Sequence, residues 1–199
     1  MSRHEVIVIG ASAGGVASLW QLVQGLPNNL PAAVFVVVHI SAKYPSSLPN
    51  ILQKSGKLPV SHAVDSAEIE PGRIYIAPPD RHLLIKPQYM RVVFGPKENR
   101  FRPAIDPLFR TAALAYGERV VGVVLSGALN DGTAGLIEIK EQGGVAIAQD
   151  PREAMFSSMP ESAIKYANVD YILPIAGIAS TLVNLANQSV IERRNPYVR

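Results

Sequence analysis

The stretch EVIVIGASAGGV, residues 5–16, decides the fold. Its first five residues carry no inside/outside alternation and are rich in Val and Ile, so they read as a strand covered on both faces. The small residues of GASAGG, 10–15, permit a sharp turn, and apolar residues at helical spacing follow over 16–24. A strand, a tight glycine-rich turn and a helix make one half of a β-α-β unit.

The same unit recurs outward from this stretch. Strand-like runs fall at 33–38, 73–77, 120–125, 145–148 and 171–173, and helical spacing at 107–116, 135–141, 162–167 and 175–186, with Gly143-Gly144 closing one helix. The alternation predicts an α/β fold, a doubly wound and mostly parallel sheet with helices on both faces. One stretch departs from the rhythm. Short strands at 74–77, 83–86 and 91–93, separated by Pro78-Pro79-Asp80 and Pro87-Gln88, predict an attached antiparallel hairpin. The polar, proline-bounded segment GPKENRFRP, 95–103, reads as a surface loop. The 199 residues suit one domain over 1–190, followed by a basic tail at 191–199 that carries Arg193, Arg194 and Arg199.

Composition narrows the chemistry. An apolar fraction of 48%, a charged fraction of 18% and a net charge of +3 describe a compact globule, with the basic tail a solvated end rather than a nucleic-acid contact. The absence of cysteine excludes disulfides and thiolate catalysis, and fits a reducing cytoplasm. The first apolar run is shorter than the about 7–15 residues of a signal-peptide core. No run approaches the roughly 20 apolar residues of a membrane span. A cytoplasmic protein without membrane insertion is expected. The four histidines lack ligand-type partners at helical spacing, so neither a metal nor a cofactor is expected.

In such a sheet, ligands bind at the carboxyl ends of the strands. Ser12 stands at the first end, in a Gly10-x-Ser12-x-Gly14 pattern suited to a nucleophile elbow, with N–H groups from Ala13 onward placed for an oxyanion. A phosphate loop or a serine N-cap explains the pattern equally well. The dinucleotide fingerprint is not met, because Ser12 occupies the place of its second glycine. His39 ends the second strand; of its rivals, His4 lies at the wrong end, His62 has no clear neighbour, and His82 sits in the hairpin. Three carboxylates compete: Asp131 and Asp106, each explicable as a helix cap, and Asp150 at a strand end. Strand order favours Asp131, but the residues alone leave the three open.

Taken together, VIVIGASAGGV (6–16), VVVH (36–39), PGRIYIAPPDRHL (71–83), FRPAIDPLFRTAA (101–113), LSGALNDGTAGL (125–136) and FSSMPESAI (156–164) resemble the catalytic domain of CheB-type chemotaxis methylesterases. The resemblance implies a triad of Ser12 as nucleophile, His39 as base and Asp131 as its orienting carboxylate, with Ala13 and Ala128 backbone N–H groups as oxyanion hole. It implies hydrolysis of glutamyl γ-methyl esters on methyl-accepting chemoreceptor proteins, with release of methanol, and deamidation of receptor glutamines by the same acyl transfer. Two departures stand out. Such enzymes usually carry an N-terminal receiver domain, whereas the first catalytic strand here begins at residue 5, so control is expected from a separate regulatory partner or from expression. The family's T-G-M-G is replaced by Ser126-Gly127-Ala128-Leu129, which puts the loop shape in question. These departures motivate one alternative, a non-catalytic regulatory module that binds receptor or signalling partners through the same cleft.

Overall fold

Strand β1 (Val6–Ala11) is buried at every position, and its side chains divide between two cores. Ile7, Ile9 and Ala11 join one apolar cluster, while Val6 and Val8 join another on the opposite face. Each such buried Val or Ile contributes about 1.5–3 kcal/mol, which is why the run tolerates no polar residue. The structure, a computed structural model, describes residues 3–40 and 45–188. The basic tail at 191–199 lies outside the described residues.

From β1 the chain runs through α1 (Gly15–Gln24), β2 (Ala33–Val38), α2 (Leu48–Ser55), β3 (Val60–His62) and β4 (Ile74–Ile76). A hairpin of β5 (His82–Lys86) and β6 (Tyr89–Val93) follows, then α3 (Ile105–Tyr116), β7 (Val120–Val124) and α4 (Thr133–Glu141). The last described elements are β8 (Val145–Gln149), α5 (Ser158–Tyr166), β9 (Tyr171–Leu173) and α6 (Ile175–Asn187). The seven strands of the main sheet lie in the order β3-β4-β2-β1-β7-β8-β9, and every pairing is parallel. Helices α1, α2 and α6 cover one face; α3, α4 and α5 cover the other. The doubly wound architecture is therefore present.

Strand order reverses between β1 and β7, since the chain leaves β1 towards β2 and later returns to β7 on its other side. A crevice outside the carboxyl ends is expected at such a switch point.

Three sequence readings change. The strand at 74–77 belongs to the main sheet, between β2 and β3, rather than to the hairpin. Only β5 and β6 pair antiparallel, and they are fixed through α3, whose Thr111 and Tyr116 hydroxyls accept from Ile85 N (2.9 Å) and Gln88 N (3.0 Å). Helix α5 begins at Ser158 rather than 162, because Pro160 falls in the first turn, where no backbone donor is needed. Helix α2 and edge strand β3 were not visible in the apolar periodicity; Pro49 in the first turn of α2 and the three half-buried residues of β3 weaken both patterns.

Candidate active site

Register brings the first two polar groups level. Ala11 pairs with Val38, and the ladder continues through His39 N to Ala11 O at 3.1 Å, so Ser12 and His39 leave adjacent strands at the same height. On the other side, Ser12 N donates to Ser126 O at 3.0 Å, just beyond β7. The chain then turns sharply through Gly14, whose φ of 73° is the left-handed region that glycine enters without strain. Added side-chain bulk at Gly14 has no room either, since its Cβ would lie 2.9 Å from Ser126 Oγ and 2.8 Å from Met155 Cβ.

His39 Nδ1 lies 3.0 Å from Ser12 Oγ, and its Nε2 lies 2.7 Å from Asp131 Oδ2. A carboxylate only accepts, so Nε2 carries the proton and donates to Asp131, leaving the Nδ1 lone pair to accept from the serine hydroxyl. The imidazole is nearly sealed: its side chain is 3% exposed, and Phe101 stacks on it with ring centroids 3.5 Å apart and planes within 5°.

Asp131 is buried and saturated. Oδ2 accepts from His39 Nε2 and Ile105 N (2.7 Å), and Oδ1 from Asn99 Nδ2 (2.7 Å) and Asp106 N (3.1 Å). Burial pushes its carboxyl up, but the hydrogen bonds from His39, Ile105, Asn99 and Asp106 outweigh that and hold it below its ordinary value. Ile105 N and Asp106 N are two of the donors left open at the start of α3, so Asp131 caps a helix it does not belong to. Asp106 returns the arrangement, its Oδ1 accepting from Gly132 N (3.0 Å) and Gly135 N (2.7 Å) at the start of α4. Each carboxylate, read from sequence as a cap for its own helix, caps the other's. Asp106 is raised above its ordinary value, first by burial and then by the charge of Asp131.

The other candidates serve structure. Asp150 is held by Arg152, at 2.6 Å from Nη2 to Oδ2. His82 clamps the 95–104 loop, with Nε2 donating to Pro96 O (2.8 Å) and Nδ1 accepting from Ala104 N (3.3 Å). His62 contacts the carbonyls of Ile76 and Ser46. His4 is buried ahead of β1, at the opposite end of the sheet.

Ala13 and Ala128 N–H groups engage no acceptor among the described residues, whereas their neighbours are committed, Gly127 N to Phe156 O (3.0 Å) and Leu129 N to Ser158 Oγ (3.1 Å). Both stand beside the serine: Ala13 follows it, and Gly127 lies so close that a Cβ there would fall 2.9 Å from Ser12 Cβ. Leu129 adopts a left-handed φ of 70°, a conformation that suits the family's glycine and that leucine adopts here with its side chain 51% exposed.

Asn99, Phe101 and Ser126 were not read as site residues from sequence. Ser126 Oγ donates to Ala13 O (2.8 Å) and accepts from Phe156 N (3.0 Å), tying the serine turn to the 155–159 segment. The signal for Asn99 and Phe101 was slight: a polar loop whose Glu98–Phe101 turn has φ of 50° at Asn99 and 74° at Arg100. A half-buried serine, an imidazole whose lone pair accepts from it, a saturated carboxylate and two uncommitted N–H groups form the set needed for acyl transfer through a covalent intermediate.

Comparison with known proteins gives the family. The family model described as CheB methylesterase matches residues 7–182. A relative in Leptospira interrogans is 40% identical over 193 residues, which cover 96% of this chain and 100% of its own length. A Thermotoga maritima protein named protein-glutamate methylesterase/protein-glutamine glutaminase is 38% identical over 185 residues, of which this chain spans 54% of the length. The crystal structure of the Thermotoga maritima CheB methylesterase catalytic domain superposes with a TM-score of 0.88 at 36% identity, covering 93% of this chain and 99% of that one.

Proposed function

This chain belongs to the CheB methylesterase family, and from that premise we propose that it hydrolyses glutamyl γ-methyl esters on methyl-accepting chemoreceptor proteins, releasing methanol. The observation that carries the reading is the continuous relay from Ser12 Oγ through His39 to Asp131, at 3.0 and 2.7 Å.

In this reading, His39 Nδ1 takes the Ser12 proton as Oγ attacks the ester carbonyl. The tetrahedral oxyanion accepts from Ala13 and Ala128 N–H. Collapse expels methoxide, which leaves as methanol with the proton from His39, and a glutamyl ester of Ser12 remains. Water, deprotonated by His39, opens that ester; Ser12 Oγ leaves with the proton from His39, and the glutamate carboxylate is restored. Asp131 holds the Nε2–H tautomer throughout and stabilises the imidazolium that forms twice in the cycle. Deamidation of a receptor glutamine follows the same steps with ammonia as leaving group, and the Thermotoga relative's name pairs the two activities.

The test is release of labelled methanol from a methyl-labelled chemoreceptor. The wild-type chain releases it, and Ser12→Ala lowers the rate by roughly 10⁴- to 10⁶-fold, as in other triads. Release by Ser12→Ala near the wild-type rate overturns the assignment. A serine-reactive phosphonate separates the enzyme from a non-catalytic module: receptor binding without labelling of Ser12 favours the module.

A further inference from the structure

We infer that Asn99 is a positioning residue of this esterase, its amide holding the Asp131 and Asp106 carboxylates in place and screening them from each other. The inference rests on the esterase reading above. Asn99 Nδ2 carries two protons, and one carboxylate oxygen lies on each: Asp131 Oδ1 at 2.7 Å and Asp106 Oδ2 at 2.7 Å. Both neighbours are acceptors, so the NH2 end of the amide must face them. Among the described residues, Asn99 is the one side chain bonded to both carboxylates.

The surroundings show why that matters. Asp131 is faced by His39 and by the two N–H groups that open α3; Asp106 is faced by the two N–H groups of α4 and by Arg110, itself paired with Glu98 at 2.7 Å. These donors satisfy each carboxylate separately. Without Asn99, Asp131 Oδ1 keeps only the bond from Asp106 N, the longest of its four at 3.1 Å, and the two like charges confront each other. Asp131 then turns more easily and takes up a proton more readily, and either change weakens its hold on His39.

Local structure supports a dedicated role. The turn places Asn99 and Arg100 at positive φ, where asparagine is among the few tolerated side chains. The loop is clamped around that turn. Arg102 bonds Asp80 Oδ1 at 2.6 Å and Gly95 O, His82 bonds Pro96 O, and Glu98 and Phe101 exchange backbone bonds at 2.8 and 3.1 Å. A strained turn held from several sides presents one amide to two carboxylates.

The experiment compares wild type, Asn99→Ala, Asp106→Asn and the double variant, by rate of phosphonate labelling at Ser12 and by methanol release. Asn99→Ala should slow both by about 10- to 100-fold and leave KM for the receptor within about twofold, a kcat effect rather than a binding one. Asp106→Asn alone should also be slow. Its amide oxygen can keep the α4 N–H groups, but its NH2 then meets that of Asn99. In the double variant the like charge that Asn99 screened is gone from beside Asp131, and labelling should be at least about threefold faster than in Asn99→Ala. Asn99→Ala within about twofold of wild type, or a double variant no faster than Asn99→Ala, overturns the inference. Labelling needs the triad but no receptor. Wild type that is labelled yet releases no methanol therefore refutes the substrate while the labelling series still decides Asn99, and wild type that is not labelled refutes both.

Discussion

Gly127→Ala separates what the site needs for stability from what it needs for chemistry. A Cβ at this position would sit 2.2 Å from Met159 Sδ, 2.9 Å from Met159 Cε and 2.9 Å from Ser12 Cβ. The glycine is not in the left-handed region, so the penalty is steric rather than conformational. Carbon atoms in contact prefer about 3.5–4.0 Å, so the serine backbone or residue 127 must retreat by roughly half an ångström or more. Met159, in the first turn of α5, is fully buried, and repacking it costs about 1–3 kcal/mol, near 2–4 °C in Tm for each kcal/mol. The displacement of Ser12 against His39 and of the neighbouring Ala128 N–H should lower the rate about 10²-fold. The assays are thermal unfolding followed by circular dichroism, and the rate of phosphonate labelling. Gly177→Ala in α6 is the control: its Cβ meets neighbours only at 3.4–3.6 Å, so it should raise stability by about 0.5–1 kcal/mol and leave labelling alone. Adding Met159→Ala to Gly127→Ala removes the closest contact but not the one with Ser12, so activity should stay low. Recovery of wild-type labelling in that double variant would refute the claim that crowding of Ser12 is the cause.

Other expectations follow from the same geometry. Asp131→Asn should lower kcat about 10⁴-fold, since the His39 tautomer and its charged form lose their partner, and the melting temperature should fall because buried donors then meet an NH2 group. Methanol release and a melt check both; a loss below about tenfold contradicts the role given to Asp131. Phe101→Ala removes the ring stacked on His39 and should slow labelling by about 3- to 10-fold, while Phe101→Tyr should keep it. The pH dependence of stability has a defined sign. Asp106 is raised, so its ionised form costs stability at neutral pH, and the cost is relieved as pH falls through its raised value. Asp131 is lowered, so its contribution is whole above about pH 3.9 and is lost only as pH falls through its still lower folded value. Between pH 7 and about 4, the urea midpoint of wild type should therefore rise relative to that of Asp106→Asn; a relative fall contradicts the assignment.

What could be read from sequence divides along a physical line. Ser12 and His39 were legible because a continuous apolar run announces a buried strand and the residue after it announces the strand's end. Asp131 was less so. A carboxylate at a helix start is explained locally by capping, and nothing local says that the capped helix is α3 rather than α4. The strand at 74–77 was grouped with the hairpin because proximity in sequence suggests pairing, whereas its partners, β2 and β3, are fixed by tertiary packing. Asn99 and Phe101 were least legible. A polar loop that packs its tip onto a site and one that waves in solvent have the same composition, and the anchors that distinguish them, His82 and Asp80, lie some 20 residues upstream.

The exchange of caps between α3 and α4 ties the proposed triad to folding more closely than its chemistry requires. Had Asp131 capped α4, and Asp106 α3, each helix could start independently, and the carboxylate opposite His39 would be free to choose its rotamer. Instead, Ile105 N and Asp106 N at the start of α3 close on a residue that precedes α4, and Gly132 N and Gly135 N at the start of α4 close on a residue inside α3. Neither helix start is satisfied until both are in place. The oxygen that faces His39 is thereby set by two backbone donors whose positions are fixed by the packing of two helices on a sheet. In the proposed reaction, preorganisation of this kind leaves Asp131 no alternative partner, and its cost, two carboxylates buried side by side, is what the Asn99 amide offsets.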